Sequence, residues 1–137
     1  TLNKDFEYAA ENSLKSIAAN LSRAPTAFTQ MLIALDYSLS PTKEIVIVSK
    51  KTSDTFVEQT TSLIYSNFLP NKILLFRSSS EDDPILPFAS WTKEQGLIKG
   101  RPAIYVCEKH TCNLPVTELD KLENILEKKI EKVLYDK

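Results

Sequence analysis

Hydrophobic residues recur every three or four positions near the start of the chain. They are Phe6, Ala10, Leu14, Ile17 and Leu21. This spacing places them on one stripe of an amphipathic helix, with polar residues on the remaining faces. The pattern therefore predicts a first helix over residues 5–21.

The helical pattern is interrupted at residues 22–25 and then resumes. Pro25 cannot make the helical hydrogen bond and restrains the residue before it, although it suits the first turn of a new helix. Apolar residues at 28, 31, 32 and 35 then fall on one face, and residues 40–41 (Ser-Pro) end the run. Residues 1–41 are therefore predicted to form a helical hairpin.

After Pro41 the helical spacing gives way to short unbroken apolar runs. Residues 45–48 (Ile-Val-Ile-Val), 73–76 (Ile-Leu-Leu-Phe) and 104–106 (Ile-Tyr-Val) are typical of strands covered on both faces. A helix is predicted between the first two runs, with N-cap candidates at residues 52–54. Another is predicted after Thr117.

The order of these elements predicts the fold class. Strands that alternate with helices favour an α/β domain, residues 42–137, whose small three-stranded, mainly parallel sheet is flanked by helices and preceded by the hairpin. Strand order 2-1-3 is favoured, with 1-2-3 left open. Residues 77–102 are too many for a plain loop, so residues 84–91 are expected to pack as a short helical or irregular segment.

Charge and hydropathy exclude two classes of partner. Seventeen basic and eighteen acidic residues give a formal net charge of -1, so no nucleic-acid partner is predicted. No apolar run approaches the ~20 residues that span a bilayer, so no membrane partner is predicted.

Two cysteines fit a reducing compartment and a cytoplasmic protein. Since the chain starts at Thr1 without a signal-peptide pattern, we expect a piece of a longer protein.

Cys107 and Cys112 offer the chain's most distinctive chemistry. Cys107 follows an apolar run that we expect to be a parallel strand, at the edge where open α/β sheets bind ligands. Lys109 and His110 would lower a nearby thiol pKa and favour the reactive thiolate. The spacing differs from the C-x-x-C of redox motifs. The favoured interpretation is a half-buried strand cysteine and a loop cysteine that can pair when oxidised, with a redox dithiol as the alternative.

The same segment is a poor metal or hydrolase site. Cys107, His110 and Cys112 supply three soft ligands, whereas structural zinc takes four, and no further Cys or His exists in the chain. Because His110 is the only histidine, any catalytic triad would have to include it. No metal, no cofactor and no catalytic residue is predicted.

Two polar loops are candidate binding sites. Ser49, Lys50, Thr52 and Ser53 lie where a strand gives way to a helix, and helix N-termini bind anions. That loop has no glycine to let backbone approach phosphate, so ordinary capping is the favoured interpretation. Residues 81–83 group three acids that could hold Mg²⁺, but a solvated loop is favoured for them.

Several stretches together resemble one family. They are residues 23–32 (RAPTAFTQML), 44–48 (EIVIV), 68–72 (FLPNK), 101–107 (RPAIYVC) and 112–117 (CNLPVT). Their order and spacing are similar to the C-terminal region of the DUF255 thioredoxin-domain-containing proteins, which include YyaL-like and spermatogenesis-associated thioredoxin-like proteins. The resemblance runs over nearly the whole chain. Ser49-Lys50 departs from the Gly-Asp that this family tends to have there.

The resemblance implies an organisation more than an activity. Family members have an N-terminal thioredoxin-like domain, then a helical toroid, then this region, so residues 1–41 would be the closing helices of the toroid. The upstream domains would be the partners, and the family's C-x-x-C motif lies among them. We expect a non-catalytic structural or interaction module that is not by itself an enzyme. The alternative is an accessory thiol-redox element that uses Cys107 and Cys112 with the thioredoxin-like domain.

Overall fold

The computed structural model describes residues 3–108 and 111–126. It contains the helices and strands that the sequence predicts, together with one short strand more. The α-helices are α1 (Lys4–Arg23), α2 (Thr29–Leu39) and α3 (Thr55–Ser66), with a last helical segment at 119–126. The strands are β1 (Lys43–Ser49), β2 (Lys72–Ser78), β3 (Ala103–Glu108) and β4 (Thr111–Cys112).

The predicted helical hairpin is confirmed. Asn3 caps α1, since its side chain accepts a hydrogen bond from the Asp5 N–H at 2.8 Å. Ala24 leaves the helical conformation, and a 3₁₀ turn, Pro25–Phe28, leads into α2. Residues 41–42 then connect α2 to β1. The domain boundary between them stays a prediction.

The sheet differs from the predicted one. Its order is β2-β1-β3-β4, so the favoured 2-1-3 order of the first three strands is confirmed. However, only β1 and β2 are parallel, while β3 runs antiparallel to β1 and β4 antiparallel to β3. A four-stranded mixed sheet therefore replaces the three-stranded, mainly parallel one, and that prediction was wrong.

The connection between β2 and β3 explains the reversal. Ser78 ends β2 beside Ser49, and Ala103 starts β3 opposite Val48, so the chain leaves and re-enters the sheet at the same edge. A parallel return would require a crossover that runs back along the sheet, usually as a helix. Residues 79–102 contain a single 3₁₀ turn, Ser90–Thr92, and no such helix.

Alternate residues of the central strands pack into two apolar layers, one on each face of the sheet. Ile45 and Ile47 face one layer, and Val46 and Val48 face the other, because strand side chains alternate between faces. The first layer is completed by α3 and the last helical segment through Val57, Ile64, Leu122 and Leu126. The second is covered by Trp91, Leu97 and Ile98 of the long connection. As predicted, β1 is buried on both faces.

Polar contacts hold the long connection on the sheet. The Tyr105 hydroxyl accepts from the Gly96 N–H at 3.0 Å and donates to the Gly96 carbonyl at 2.9 Å. Ile98 and Arg101 exchange backbone hydrogen bonds around Lys99 and Gly100, both at positive φ, as a type I′ turn requires.

Asp83 anchors the start of the same connection. Its carboxylate accepts hydrogen bonds from the backbone N–H groups of Ser78 and Ile85. Burial acts to raise the pKa of Asp83, but these hydrogen bonds and the charge of Arg77 outweigh it, so the pKa lies below its usual value. Asp83 is therefore a charged structural anchor of the loop.

Within the described residues, no helix combines the length and apolarity needed to cross a membrane.

Candidate functional site

Cys107 and Cys112 are joined in a disulfide. They face each other across β3 and β4, with 2.09 Å between their sulfurs. The Asn113 N–H donates to the Val106 carbonyl at 3.0 Å, next to the cysteine pair. The cysteines thus occupy a non-hydrogen-bonded position of the antiparallel ladder, where facing side chains approach most closely.

The spacing of the cysteines produces this pairing. Strand β3 ends at Glu108 and β4 begins at Thr111, and Glu108 faces Thr111. With two residues between the strands, the next pair outward is Cys107 and Cys112. The intervening Lys109 and His110 lie outside the described residues, so modulation of the thiols by His110 stays a prediction.

The two sulfurs lie in unequal surroundings. Cys107 is fully buried among Val46, Val48 and Tyr105. Cys112 is exposed, as is all of β4. An exposed residue and a fully buried one are therefore bonded to each other through their sulfurs.

Gln95 covers the disulfide from the long connection. Its side-chain Nε2 lies 3.4 Å from the Cys112 Sγ and 3.7 Å from the Cys107 Sγ. Gln95 is buried, and among the described residues its Oε1 has no hydrogen-bond partner. A disulfide sulfur accepts weakly and donates nothing. The amide is therefore only half satisfied in this state.

The position of Cys107 in the sheet corrects the expected geometry. Because β3 runs antiparallel to β1, Cys107 faces Glu44 at the start of β1 and not the carboxyl ends of the parallel strands. The Ser49 loop lies at the other end of β1, roughly 16 Å away at ~3.3 Å per residue. The two candidate sites are separate.

The residues of the proposed anion site follow β1 as expected. Ser49 is buried, and its hydroxyl donates to the Asp54 carboxylate at 3.0 Å, while Lys50, Thr52 and Ser53 are exposed. Asp54 also caps α3 by accepting from the Phe56 N–H. A carboxylate already occupies this helix N-terminus, which disfavours an anion there. Anion binding stays a prediction.

The metal hypotheses concern the two cysteines and the acidic residues 81–83. In the disulfide neither sulfur is a thiolate, the form that binds zinc. Glu81 and Asp82 are exposed, whereas Asp83 is turned to the backbone. Across residues 3–108 and 111–126, no three His, Cys, Asp or Glu side chains come together as a metal site.

Sequence reasoning missed Gln95 and β4. A single glutamine in a long connection carries no local signal of its partners. Strand β4 did leave a local signal, because the C-x4-C spacing pairs two cysteines across a two-residue connection. The usual Asn-Gly turn signal is missing from that connection, which is Lys-His.

Comparison with known proteins finds larger relatives. The chain is similar to spermatogenesis-associated protein 20 of human, 26% identical over 130 residues, and of rat, 26% identical over 132 residues. It is also similar to the uncharacterized protein B0495.5 of Caenorhabditis elegans, 25% identical over 126 residues.

These alignments cover 91–92% of this chain but 16–17% of each relative. The chain thus corresponds to about one sixth of each relative's length. No family model matches the sequence, and no solved structure matches the fold. Part of the expected resemblance, that to spermatogenesis-associated proteins, is therefore confirmed.

Proposed function

We propose that this chain is a non-catalytic C-terminal structural and interaction module of a larger thioredoxin-domain-containing protein of the DUF255 class. In this proposal its helical hairpin packs against the preceding part of the same protein, as the last helices of a toroid. The similarity to one sixth of much longer relatives supports a parent protein with further domains.

The exposed apolar surface of the hairpin carries the proposal. We define this surface by Phe6, Tyr8, Ile33, Tyr37 and Leu39, which are 37–77% exposed. In α1 the buried residue is Leu21, next to the turn, and α2 contains none.

Such a pair of helices buries too little of its apolar stripe to be stable by itself. Most helical stability in proteins comes from packing of an amphipathic face and not from intrinsic propensity. Large apolar side chains left exposed on an element mark it as an interaction element. The preceding domains of the parent chain are covalently attached to α1, so they are the proposed cover.

A pair of phenylalanines tests this proposal. Phe6 is 63% exposed on α1 and Phe68 is 86% exposed after α3. In the parent protein, Phe6→Glu should lower the free energy of unfolding by about 1.5–3 kcal/mol, the value of burying such a side chain. Phe68→Glu, the matched control, should change little.

Both substitutions should be nearly neutral in the 137-residue chain, where both residues are exposed. Thermal denaturation of the two proteins with each variant measures these effects. The docking proposal is wrong if Phe6→Glu and Phe68→Glu behave alike in the parent protein.

The disulfide favours a second candidate function. We propose, as the alternative, that Cys107 and Cys112 form an accessory thiol-redox element that exchanges with the thioredoxin-like domain of the parent protein. The pairing of the cysteines and the exposure of Cys112 support it. Cytoplasmic glutathione and thioredoxin would keep such an accessible disulfide in exchange.

Equilibration with glutathione buffers tests the redox candidate. Structural disulfides are reduced only below about -300 mV, whereas exchanging ones have higher potentials. We expect half-reduction above that value, measured by alkylating the free thiols and weighing the protein by mass spectrometry. A disulfide that is still oxidised at about -300 mV would contradict the redox candidate, and the structural module would remain as the proposed function.

A further inference from the structure

We infer that disulfide exchange at this site is directional: an incoming thiolate attacks Cys112, and Cys107 is the leaving thiolate beneath the Gln95 amide. The inference deepens the second proposed function and rests on it. Its basis is the contrast between a fully buried Cys107 and an exposed Cys112, together with a buried glutamine that contacts both sulfurs.

The proposed reaction has two steps. In the first, the reductant's thiolate forms a bond to the Cys112 Sγ while the bond between the two protein sulfurs breaks, and the electron pair goes to the Cys107 Sγ. In the second, another thiol of the reductant attacks its own sulfur in the mixed disulfide and releases Cys112. The protein gains two electrons and two protons, and the reductant ends as a disulfide.

Access decides which sulfur is attacked. A thiolate approaches the sulfur from the side opposite the bond that breaks and needs open space there. β4 is an exposed edge strand at the end of the sheet, so Cys112 meets solvent. Cys107 lies in the layer formed by Val46, Val48 and Tyr105. Attack on Cys107 would require that layer to open.

Gln95 matches the reduced state better than the oxidised one. Its Nε2, 3.7 Å from the Cys107 Sγ, can donate to the leaving thiolate, and hydrogen bonds to charged acceptors are stronger than those to neutral ones. Its Oε1 has no partner in the disulfide form across the described residues. Thiol groups supply donors that a disulfide lacks. Gln95 is therefore a positioning residue that favours reduction.

Mapping the mixed disulfide tests the direction. The 137-residue chain is mixed with reduced glutathione, quenched in acid after short times, alkylated and digested for mass spectrometry. We expect the glutathione adduct on Cys112 at least about tenfold more often than on Cys107, because access controls the site of attack. Equal labelling, or an adduct mainly on Cys107, overturns the inference.

Two single-cysteine variants compare the reactivity of the two thiols in the oxidation direction. Cys107→Ser should form a stable adduct with glutathione disulfide at Cys112, and Cys112→Ser should react at least about tenfold more slowly. Equal rates in two folded variants contradict the inference. Since Cys107→Ser places a hydroxyl in the core and could unfold the chain, the wild-type mapping decides in that case.

Gln95→Met separates positioning from simple structural support. Met has a similar length but no N–H donor, so reduction by glutathione should slow by about tenfold, the value of a hydrogen bond to a charged group. If Gln95 only held the loop in place, its loss would loosen the cover and speed reduction. A faster or unchanged rate overturns the role of Gln95.

The outcomes distinguish this inference from the function on which it rests. Reversible reduction with the adduct on Cys107 removes the direction and keeps the redox element. A wild-type disulfide that glutathione cannot reduce removes both. Reversible reduction through Cys112 supports both.

Discussion

The helical hairpin and the sheet-containing part of the molecule hide their apolar residues to very different degrees. Among residues 43–126, leaving aside 109–110, the central strands β1 and β3 are buried almost throughout. Within α1 and α2, Leu21 is buried, while Phe6 and Leu39 are 63% and 77% exposed. Apolar side chains are thus buried in the sheet and largely exposed on the hairpin of the same chain.

The difference teaches where the stability of this chain lies. The sheet has layers on both faces, so removal of an apolar side chain there leaves a cavity. The hairpin is amphipathic but faces solvent on much of its surface. Side chains exposed in this way contribute little until another surface covers them. The hairpin is therefore the part that we expect to gain most from the parent protein.

The largest expected effect compares two isoleucines on helices. Ile64 of α3 is completely buried, whereas Ile33 of α2 is 63% exposed. Ile64→Ala should lower the free energy of unfolding by about 2–5 kcal/mol, through lost burial and a cavity. Ile33→Ala should stay within about 0.5 kcal/mol.

Urea denaturation of the two variants measures the contrast. Trp91, the single tryptophan, packs on the sheet, so its fluorescence reports that part alone. Helical circular dichroism includes α1 and α2. Equal losses in the two variants would mean that the hairpin is as tightly packed as the sheet, and would break the comparison.

Reduction of the disulfide should have the next largest effect. The bridge joins cysteines with a sequence separation of 5. A loop that short constrains the unfolded chain modestly, so reduction should cost about 2 kcal/mol in the chain-entropy account. Urea denaturation followed by Trp91 fluorescence, with and without a phosphine reductant, measures this loss.

The hairpin supplies the internal control. Its helical signal should melt at the same urea concentration in both redox states, because the bridge constrains the chain between residues 107 and 112, outside the hairpin. A hairpin that loses stability equally on reduction would show that the two regions unfold as one cooperative unit.

The sequence predicted the elements of the two regions better than their arrangement. The stripe in α1, the break before Pro25 and the buried run of β1 follow from local pattern. The direction of β3 does not, because it depends on how residues 79–102 return to the sheet. Parallel and antiparallel central strands carry the same continuous apolar residues when both of their faces are covered.

The candidate site was predicted in part for a similar reason. The chemistry of Cys107 and Cys112 is readable in the sequence, but the sequence does not decide whether they pair. Gln95 was invisible in the sequence because its role arises from a fold that returns the long connection to the cysteines. A contact between positions 95 and 112 has no periodic signal, since one residue lies in the long connection and the other in β4, with β3 between them.

Two helix caps extend the comparison to smaller effects. Asp54 caps α3 and also accepts from the Ser49 hydroxyl, whereas Asn3 caps the first turn of α1. Asp54→Ala should cost about 1 kcal/mol. Asn3→Ala should cost less than about 0.5 kcal/mol, because an end turn can fray without opening the rest.

Urea denaturation compares the caps, and amide hydrogen exchange of the first turns shows where each loss occurs. Asp54→Asn, which retains a capping oxygen, is the matched control and should recover most of the stability. If Asn3→Ala proves as costly as Asp54→Ala, then α1 is coupled to the sheet more strongly than its exposure indicates.

The smallest expected effect concerns a contact between the two regions. The Asp36 carboxylate of α2 accepts from the Asn71 side chain at 2.7 Å and from the Ser40 hydroxyl at 3.0 Å. These two hydrogen bonds, the one from Asn71 being the stronger cause, hold the pKa of Asp36 below its usual value. A carboxyl whose folded pKa is lowered stabilises the fold above its unfolded pKa and loses that effect as pH falls through the folded pKa.

We therefore expect the Asn71 side-chain amide signal, followed by nuclear magnetic resonance, to titrate with a midpoint below the usual pKa of an aspartate. Asn71→Ala should move the Asp36 midpoint upward, and Asn67→Ala, whose side chain bonds the Leu63 carbonyl instead, should not. Because Asp36 is exposed, neither variant should shift the urea midpoint at neutral pH. A clear shift from Asn71→Ala alone would show that this one contact fixes the hairpin to the sheet, and the hairpin would then be less dependent on the parent protein than its exposed residues indicate.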